Sequence, residues 1–208
     1  MINKDFLYET LSKMFPDARC ELNYDNIFQL LIAVILSAQT TDIAVNKVTE
    51  KLFSEYATPA KLAQAKEEDV VNIIKTIGLA KTKAKNIVKL SKILIKDYDS
   101  KVTSNFDELV KLPGVGRKTA NVLMSEGFKK PSIAVDTHVL RASNRLGIAK
   151  SNNPDVVEER LKMFFEEEKW SMVHLYFIFF GRYHCKARNP NCKTCPFFED
   201  CVYDNKYN

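Results

Sequence analysis

The sequence is poor in residues that interrupt helices, since only six glycines and seven prolines occur in 208 residues. It also lacks a long apolar run: the longest, residues 27–36, is about half of the roughly 20 residues that a helix needs to cross a bilayer. A membrane span is therefore excluded. The amino terminus places Asp5 and Glu9 among apolar side chains and lacks the basic start and apolar stretch of a secretory signal. We expect a cytoplasmic protein.

The alternation of apolar and polar residues that is typical of strands is also missing. Apolar residues instead recur at intervals of three and four, which predicts helices throughout and an all-α fold class. The apolar content of 46% is ordinary for a folded globular chain. Residues 27–36 and 170–181 are apolar on nearly every side and predict buried helices. Gly78 predicts the end of a helix, and a change from basic to acidic composition near Pro131 predicts a domain boundary.

Positive charge is concentrated in one part of the chain. The net charge is +5, but residues 75–130 contain thirteen Lys and Arg against five Asp and Glu, a local charge of +8, and the other residues sum to −3. A basic block on an otherwise near-neutral protein is what a nucleic-acid footprint requires, because cations that neutralise phosphates release condensed counterions. A solvated, lysine-rich helix face would have the same composition, so the charge alone leaves both interpretations open.

Four of the five cysteines form the pattern C-x6-C-x2-C-x5-C, and they are Cys185, Cys192, Cys195 and Cys201. In a reducing compartment such crowding indicates a metal or cluster site and not a disulfide framework. Only one pair has the short spacing that is usual for structural zinc, so the pattern favours an iron-sulfur cluster over zinc, with unligated thiols as a third interpretation. Lys186 and Arg188 lie in the basic loop between the first two cysteines, where they could contact phosphate. Cys20 is expected to be an ordinary cytosolic cysteine.

A glycine-containing turn separates two helical patterns at residues 112–120, whose sequence is LPGVGRKTA. The phosphate loop of nucleotide hydrolases needs Gly directly before Lys and another Gly five residues earlier, whereas this chain has Arg117 and Leu112 there. Because Gly114 and Gly116 have no side chain, a DNA backbone could approach them closely. The free amides at the start of the following helix favour an anion. The alternative is a plain corner between two helices.

Lys118 and Asp136 are the candidate catalytic residues. Lys118 lies in the first turn of its helix, where the positive end of the helix dipole disfavours a cation and favours a neutral, nucleophilic amine. Such an amine can attack a sugar carbon and form a Schiff base. The alternative is a lysine that contacts phosphate or solvent. Asp136 follows eighteen residues later, and its default role is to cap the next helix.

These residues together resemble the endonuclease III family of DNA repair glycosylases. That family combines a helix-hairpin-helix motif, a lysine in its second helix, a downstream aspartate and a four-cysteine iron-sulfur loop with this spacing. The resemblance extends from LSAQ at residues 36–39 through IGL at residues 77–79 and the hairpin to Cys201, and so covers essentially the whole chain.

The resemblance implies two α-helical domains with damaged double-stranded DNA in the cleft between them. Residues 20–130 would form a helical barrel domain that contains the helix-hairpin-helix. Residues 1–19 together with 131–208 would form a helical domain around a four-iron, four-sulfur (4Fe-4S) cluster with the four cysteines as ligands. We expect the protein to act as a monomer.

The resemblance also implies roles for individual residues. Lys118 would displace the damaged base and then cleave the strand by β-elimination, while Asp136 would stabilise positive charge on the sugar and help to activate Lys118. Gln39 and Leu79 match positions that fill the gap left by a flipped nucleotide, although the residues alone are equally consistent with a polar helix end and a buried leucine. Further DNA contacts are expected at Gly114, Gly116, His138, Lys186 and Arg188. For His138, packing within the protein is the alternative.

The expected activity is that of a bifunctional DNA glycosylase and AP lyase for oxidised pyrimidines in base excision repair. A sister branch removes adenine with a glutamate that precedes the glutamine and has a further carboxy-terminal domain, but residues 30–36 contain no carboxylate and the chain ends seven residues after Cys201. That branch and the monofunctional thymine-mismatch branch lack this lysine at the hairpin. The remaining alternative, a non-catalytic helix-hairpin-helix DNA-binding protein, would not need the pair Lys118 and Asp136.

Overall fold

A computed structural model describes residues 2–207 of the chain. Every regular element in that range is helical and no strand occurs there, which confirms the predicted all-α fold class. No helix in the described range is both long and apolar enough to cross a membrane. In chain order, the α-helices are α1 (Lys4–Met14), α2 (Ile27–Leu36), α3 (Asp42–Glu55), α4 (Pro59–Ala63), α5 (Glu67–Ile74), α6 (Ala80–Asp97), α7 (Phe106–Leu109), α8 (Arg117–Val122), α9 (Thr137–Arg145), α10 (Pro154–Phe164) and α11 (Trp170–Phe179).

Shorter helical turns complete these elements. A π-helical turn at Leu123–Gly127 continues α8, and another at Phe180–His184 continues α11. Turns of 3-10 helix lie at Glu167–Lys169, Cys192–Thr194 and Asp204–Tyr207. Such π turns are rare, and they are frequent at functional sites.

Packing divides the chain into two compact units. The first contains residues 21–128 and therefore helices α2 to α8. The second contains the chain up to Cys20 and from Lys129 onward, with helices α1 and α9 to α11. The proposed iron-sulfur cluster of the second unit stays a prediction.

The first unit is built around α2. The side chain of Asn26 caps this helix by accepting a hydrogen bond of 3.0 Å from the Gln29 N–H, and every residue from Phe28 to Leu36 is buried. The predicted buried helix is thus present. Helix α6 packs against α4, α5 and α2 through an apolar face that includes the buried Ile87 and Leu94.

The predicted helix end at Gly78 is wrong. Helix α5 already ends at Ile74, and the chain continues in a turn in which the Ile77 N–H donates to the Ile74 carbonyl at 3.1 Å. The left-handed residue is Leu79, with φ of 61°, and it is the N-cap of α6. The chain therefore turns at Leu79. The carbonyl oxygen of the same residue accepts the first hydrogen bond of α6, from the Lys83 N–H at 2.9 Å.

In the second unit, α9 and α11 pack closely around a core that includes the fully buried Val139 and Phe177. A Cβ atom at Gly181 would lie 2.8 Å from both the Cβ and the carbonyl oxygen of His138. The absence of a side chain at this position therefore allows the π turn after α11 to lie directly against α9. Arg141 of α9 fastens the same contact, since its Nη2 donates to the Gly181 carbonyl at 2.6 Å.

We predict that Gly181→Ala lowers the free energy of unfolding by about 1–3 kcal/mol, because the added methyl group overpacks the contact with His138. Chemical denaturation followed by circular dichroism measures this change. Gly116→Ala is the matched control, since a Cβ there would meet nothing within 4 Å, and it should change stability by less than about 0.5 kcal/mol. Equal effects of the two substitutions would contradict the packing argument.

Candidate functional site

The hairpin between α7 and α8 requires glycine at position 114. Gly114 has a φ of +81°, a left-handed conformation that side chains rarely adopt. A Cβ there would lie 3.2 Å from the Cβ of Asn86 in α6 and 3.3 Å from Cγ2 of Ile35 in α2. The hairpin is further held by the buried Val115, whose N–H donates to the Leu112 carbonyl at 3.1 Å. Gly114 is therefore required by the fold, and its predicted contact with DNA stays a prediction.

Gly116 has a different environment. It is exposed, it is the N-cap of α8, and no side chain caps that helix. Lys118 is exposed in the first turn of the same helix, as predicted from the sequence. The Arg117 guanidinium lies 5.6 Å from the centre of the Phe106 ring, which fixes it beside α7. Bare backbone, uncapped amides and cations therefore coincide on one exposed edge of the first unit, a combination that favours an anion.

Gln39 and Leu79 lie on two turns of the first unit and share an uncommon backbone conformation. Their φ angles are 54° and 61°, and both side chains are exposed. Leu79 has 58% of its surface exposed, so the alternative interpretation of a buried leucine is wrong. The carbonyl oxygen of Gln39 is 4.0 Å from the position that a Cβ on Gly78 would occupy, which shows that the two turns are neighbours.

Asp136 caps α9, as its default role predicts. Its Oδ1 accepts hydrogen bonds of 2.8 Å from the N–H groups of both His138 and Val139. The second carboxylate oxygen, Oδ2, takes no part in this cap. Of the two interpretations of His138, the packing contact is present: the residue lies against Gly181, and its Nδ1 is 3.2 Å from an Arg141 nitrogen. A DNA contact by His138 stays a prediction.

The four clustered cysteines line one cavity in the second unit, as their spacing predicts. The cavity has about 350 Å³ of space, part of it continuous with solvent. No three His, Cys, Asp or Glu side chains within residues 2–207 are arranged to hold a single metal ion. Burial raises the pKa of the Cys195 thiol to about 11, and the neighbouring thiols act in the same direction. A thiol in these surroundings becomes a thiolate only when a cation compensates its charge.

Two cations in the wall of this cavity were not found by the sequence analysis. Nη1 of Arg145, from the last turn of α9, lies 3.5 Å from the Cys185 sulfur and donates to the Lys186 carbonyl at 2.8 Å. Lys206 donates to the carbonyl oxygens of Phe198 and Cys201 at 2.7 and 2.8 Å. The sequence contains one indication of the role of Arg145: it follows Arg141 by four residues, which places both side chains on the same face of α9.

The remaining predicted residues of the cysteine loop lie at the surface. Lys186 and Arg188 are both exposed, so their charges face solvent and are not used inside the cavity. His184 also lines the cavity. Its Nε2 is buried and has no hydrogen-bond partner within the described part of the chain, which is the condition expected where another polar group belongs.

Comparison with known proteins identifies the family. Residues 32–167 match the family described as HhH-GPD superfamily base excision DNA repair protein. Endonuclease III of Rickettsia conorii is 49% identical over 203 residues, covering 98% of this chain and 96% of that protein, and endonuclease III of Bacillus subtilis is 50% identical over 198 residues, covering 95% and 90%. The chain belongs to the endonuclease III family. This confirms the resemblance found in the sequence.

Solved structures of endonuclease III agree with this assignment. A trapped covalent intermediate of endonuclease III with DNA is 49% identical in sequence, with a TM-score of 0.93 and coverage of 97% of both chains. The endonuclease III fold is therefore shared over nearly the full length.

The environments of the two hairpin glycines predict different consequences of substitution. Gly114→Ala should lower the free energy of unfolding by about 1–3 kcal/mol, because alanine is strained at this φ and overpacks Asn86. Gly116→Ala should leave unfolding unchanged but weaken binding to undamaged duplex DNA by about tenfold, the cost of displacing one phosphate contact. Denaturation and fluorescence anisotropy at fixed salt separate the two effects. Unchanged DNA affinity of Gly116→Ala would show that phosphate does not approach this edge.

Proposed function

We propose that the protein removes oxidised pyrimidines from duplex DNA and then cuts the strand with the amine of Lys118. As a member of the endonuclease III family it is a base excision repair DNA glycosylase and AP lyase. The observation that carries the proposal is the exposed lysine in the first turn of the hairpin helix, in a family of which one member has been trapped covalently on DNA.

Lys118 would act as the nucleophile of a two-stage reaction. The neutral amine of Lys118 bonds to C1′ of the sugar while the glycosidic bond breaks, and the electron pair of that bond leaves with the base. Loss of the amine proton and opening of the ring give an imine. A base then removes a proton from C2′, the bond between C3′ and oxygen breaks, and the 3′ phosphate leaves. Water finally hydrolyses the imine and frees Lys118.

Asp136 would stabilise the positive charge that develops on the sugar when the base leaves. Its capping hydrogen bonds use only Oδ1, so the cap fixes the orientation of the carboxylate and leaves Oδ2 for this task. A fixed carboxylate is effective because it needs no reorientation as charge develops. Capping and catalysis are therefore compatible in one residue.

DNA contacts would come from several exposed segments. Gln39 and Leu79 would fill the gap left by the flipped nucleotide, since both are exposed on neighbouring turns; flipping costs a few kcal/mol, and least for a damaged base. Gly116 would admit a phosphate to the uncapped amides of α8, while Lys186 and Arg188 would add charge from the cysteine loop. These contacts need no second copy of the chain, and we propose a monomer acting in the reducing cytoplasm.

The cavity of the second unit fits a 4Fe-4S cluster with Cys185, Cys192, Cys195 and Cys201 as ligands. In such a cluster each thiolate binds a different iron, so four thiols can surround one cavity without three of them meeting at a single ion, whereas tetrahedral zinc needs sulfurs at about 2.3 Å from one centre. Arg145 and Lys206 supply positive charge against the thiolates. The bound cluster would brace the loop that presents Lys186 and Arg188.

Lys118→Arg tests the chemistry, because arginine keeps the charge of a phosphate contact but cannot deprotonate. We predict that strand cleavage at an oxidised pyrimidine falls at least about 10³-fold. Base release and strand cleavage are scored separately on a duplex with one lesion. Lys51→Arg, an exposed position on α3, is the matched control. A Lys118→Arg variant that still cuts would require another nucleophile.

Asp136→Asn separates capping from catalysis, since asparagine caps helices about as well as aspartate. We predict unchanged unfolding and DNA affinity together with turnover reduced by about 10²- to 10³-fold. Single-turnover kinetics with saturating enzyme measures this rate. Full activity of the variant would reduce Asp136 to a helix cap.

The cluster assignment predicts brown protein that contains iron and sulfide but not zinc. Arg145→Met should accelerate loss of iron to a chelator by about 10- to 100-fold, because Arg145 contacts Cys185 and orders its loop. Arg160→Met, an exposed position on α10, is the control. Stoichiometric zinc would contradict the cluster assignment, and equal iron loss from both variants would contradict the role of Arg145.

A further inference from the structure

One lysine of the basic block lies inside the protein. Only 4% of the surface of Lys83 is exposed. Its Nζ donates hydrogen bonds to the carbonyl oxygens of Leu36 and Ala38, both at 2.8 Å, and to Oγ1 of Thr40 at 3.0 Å. The three partners bracket Gln39, so the ammonium group holds the turn that carries this side chain.

The hydrogen bonds match an ammonium group and not a neutral amine. An ammonium group has three N–H donors and a neutral amine only two, and all three partners present oxygen acceptors. None of the three is a carboxylate. Part of the compensation comes from α2, because Leu36 is its last residue and helix C-termini carry partial negative charge.

Burial lowers the pKa of Lys83, so its surroundings disfavour the charge that its partners require. Methionine at this position would avoid that cost but would leave the carbonyl oxygens of Leu36 and Ala38 without their donor. The ammonium group is therefore kept for the hydrogen bonds that hold the turn around Gln39.

The backbone of the same residue holds the second exposed turn. The Lys83 N–H donates to the Leu79 carbonyl at 2.9 Å. Leu79 and Gln39 both have positive φ angles, a conformation that is strained for residues other than glycine and that persists only when surrounding contacts enforce it. The contacts at Gln39 come from the Lys83 ammonium group, whereas the contact at Leu79 is a backbone hydrogen bond that does not depend on the side chain at position 83.

We propose that Lys83 is a positioning residue whose ammonium group holds Gln39 in the conformation with which it fills, beside Leu79 of the neighbouring turn, the space of a flipped nucleotide. This inference rests on the roles proposed above for those two side chains. It predicts that Lys83 matters when a nucleotide must be extruded from a duplex, and not when the abasic sugar is already accessible.

The test compares Lys83→Met with Lys51→Met on two substrates. The first is a duplex with one oxidised pyrimidine, and the second is a single-stranded oligonucleotide with one abasic site, in which there is no gap to fill. Lys83→Met should lower kcat/KM on the duplex by about 10- to 100-fold, the effect of a small misplacement, and change cleavage of the single strand by less than about twofold. Lys51→Met should leave both rates unchanged.

A multiple-mutant comparison tests whether Lys83 acts through the two side chains. In a Gln39→Ala/Leu79→Ala background, Lys83→Met should cost less than about threefold on the duplex, because the groups that it positions are gone. A further loss as large as in the otherwise wild-type protein would overturn the proposal.

Thr40 provides a second variant if Lys83→Met does not fold. Thr40→Val removes one of the three acceptors. It should lower kcat/KM on the duplex by about three- to tenfold, a smaller loss than in Lys83→Met, and leave cleavage of the single strand unchanged. Thr40→Ser restores the hydroxyl group and should recover the lost duplex activity. Absence of this loss, or of its rescue, would contradict the proposal.

The two substrates also separate this inference from the proposed function. Wild-type protein that neither releases the oxidised pyrimidine from the duplex nor cuts the strand would overturn the chemistry proposed for Lys118, and this inference with it. Wild-type cleavage of both substrates, combined with equal losses on both in Lys83→Met, would overturn only the positioning role.

Discussion

The arrangement of the first unit depends on a charge buried at the end of its central helix. Helix α2 ends at Leu36, and its last carbonyl groups need donors because no further turn supplies them. Ser37 donates to the Val34 carbonyl at 2.9 Å, and the Lys83 ammonium group donates to Leu36 and Ala38. The helix end is thus satisfied inside the protein, while Gln39, the residue after Ala38, stays exposed.

The first part of α6 connects three separate segments of that unit. Leu79 is its N-cap, Lys83 holds the turn around Gln39, and Asn86 lies where a side chain on Gly114 would have to be. One helix therefore fixes Gln39, Leu79 and the hairpin relative to one another, and the role proposed for these two side chains at a flipped nucleotide would need that precision. In the second unit α9 has a comparable position, because Asp136 caps it and Arg145 reaches the cysteine loop from its last turn.

The sequence predicts the helical fold, the buried helix α2 and the hairpin well, because period and glycine placement are local properties of the chain. It also places the four cysteines at one cavity. It does not predict the roles of Lys83, Arg145 or Lys206. Each of these side chains donates to backbone carbonyl groups that only the folded chain brings within reach. Lys83 did leave a trace: it precedes Ile87 by four residues and so lies on the apolar face of α6, where a lysine needs an explanation. No sequence pattern indicates that Leu79 has a positive φ angle while the neighbouring Gly78 does not.

The most direct test of the account is to identify the atom of the protein that becomes bonded to DNA. The protein is incubated with a duplex that contains one oxidised pyrimidine in the presence of borohydride, which reduces an imine to a stable amine. Proteolysis and mass spectrometry then locate the sugar adduct. The account predicts a single adduct on Nζ of Lys118. An adduct on another lysine or on the terminal amine, or base release and strand cleavage without any adduct, would contradict it.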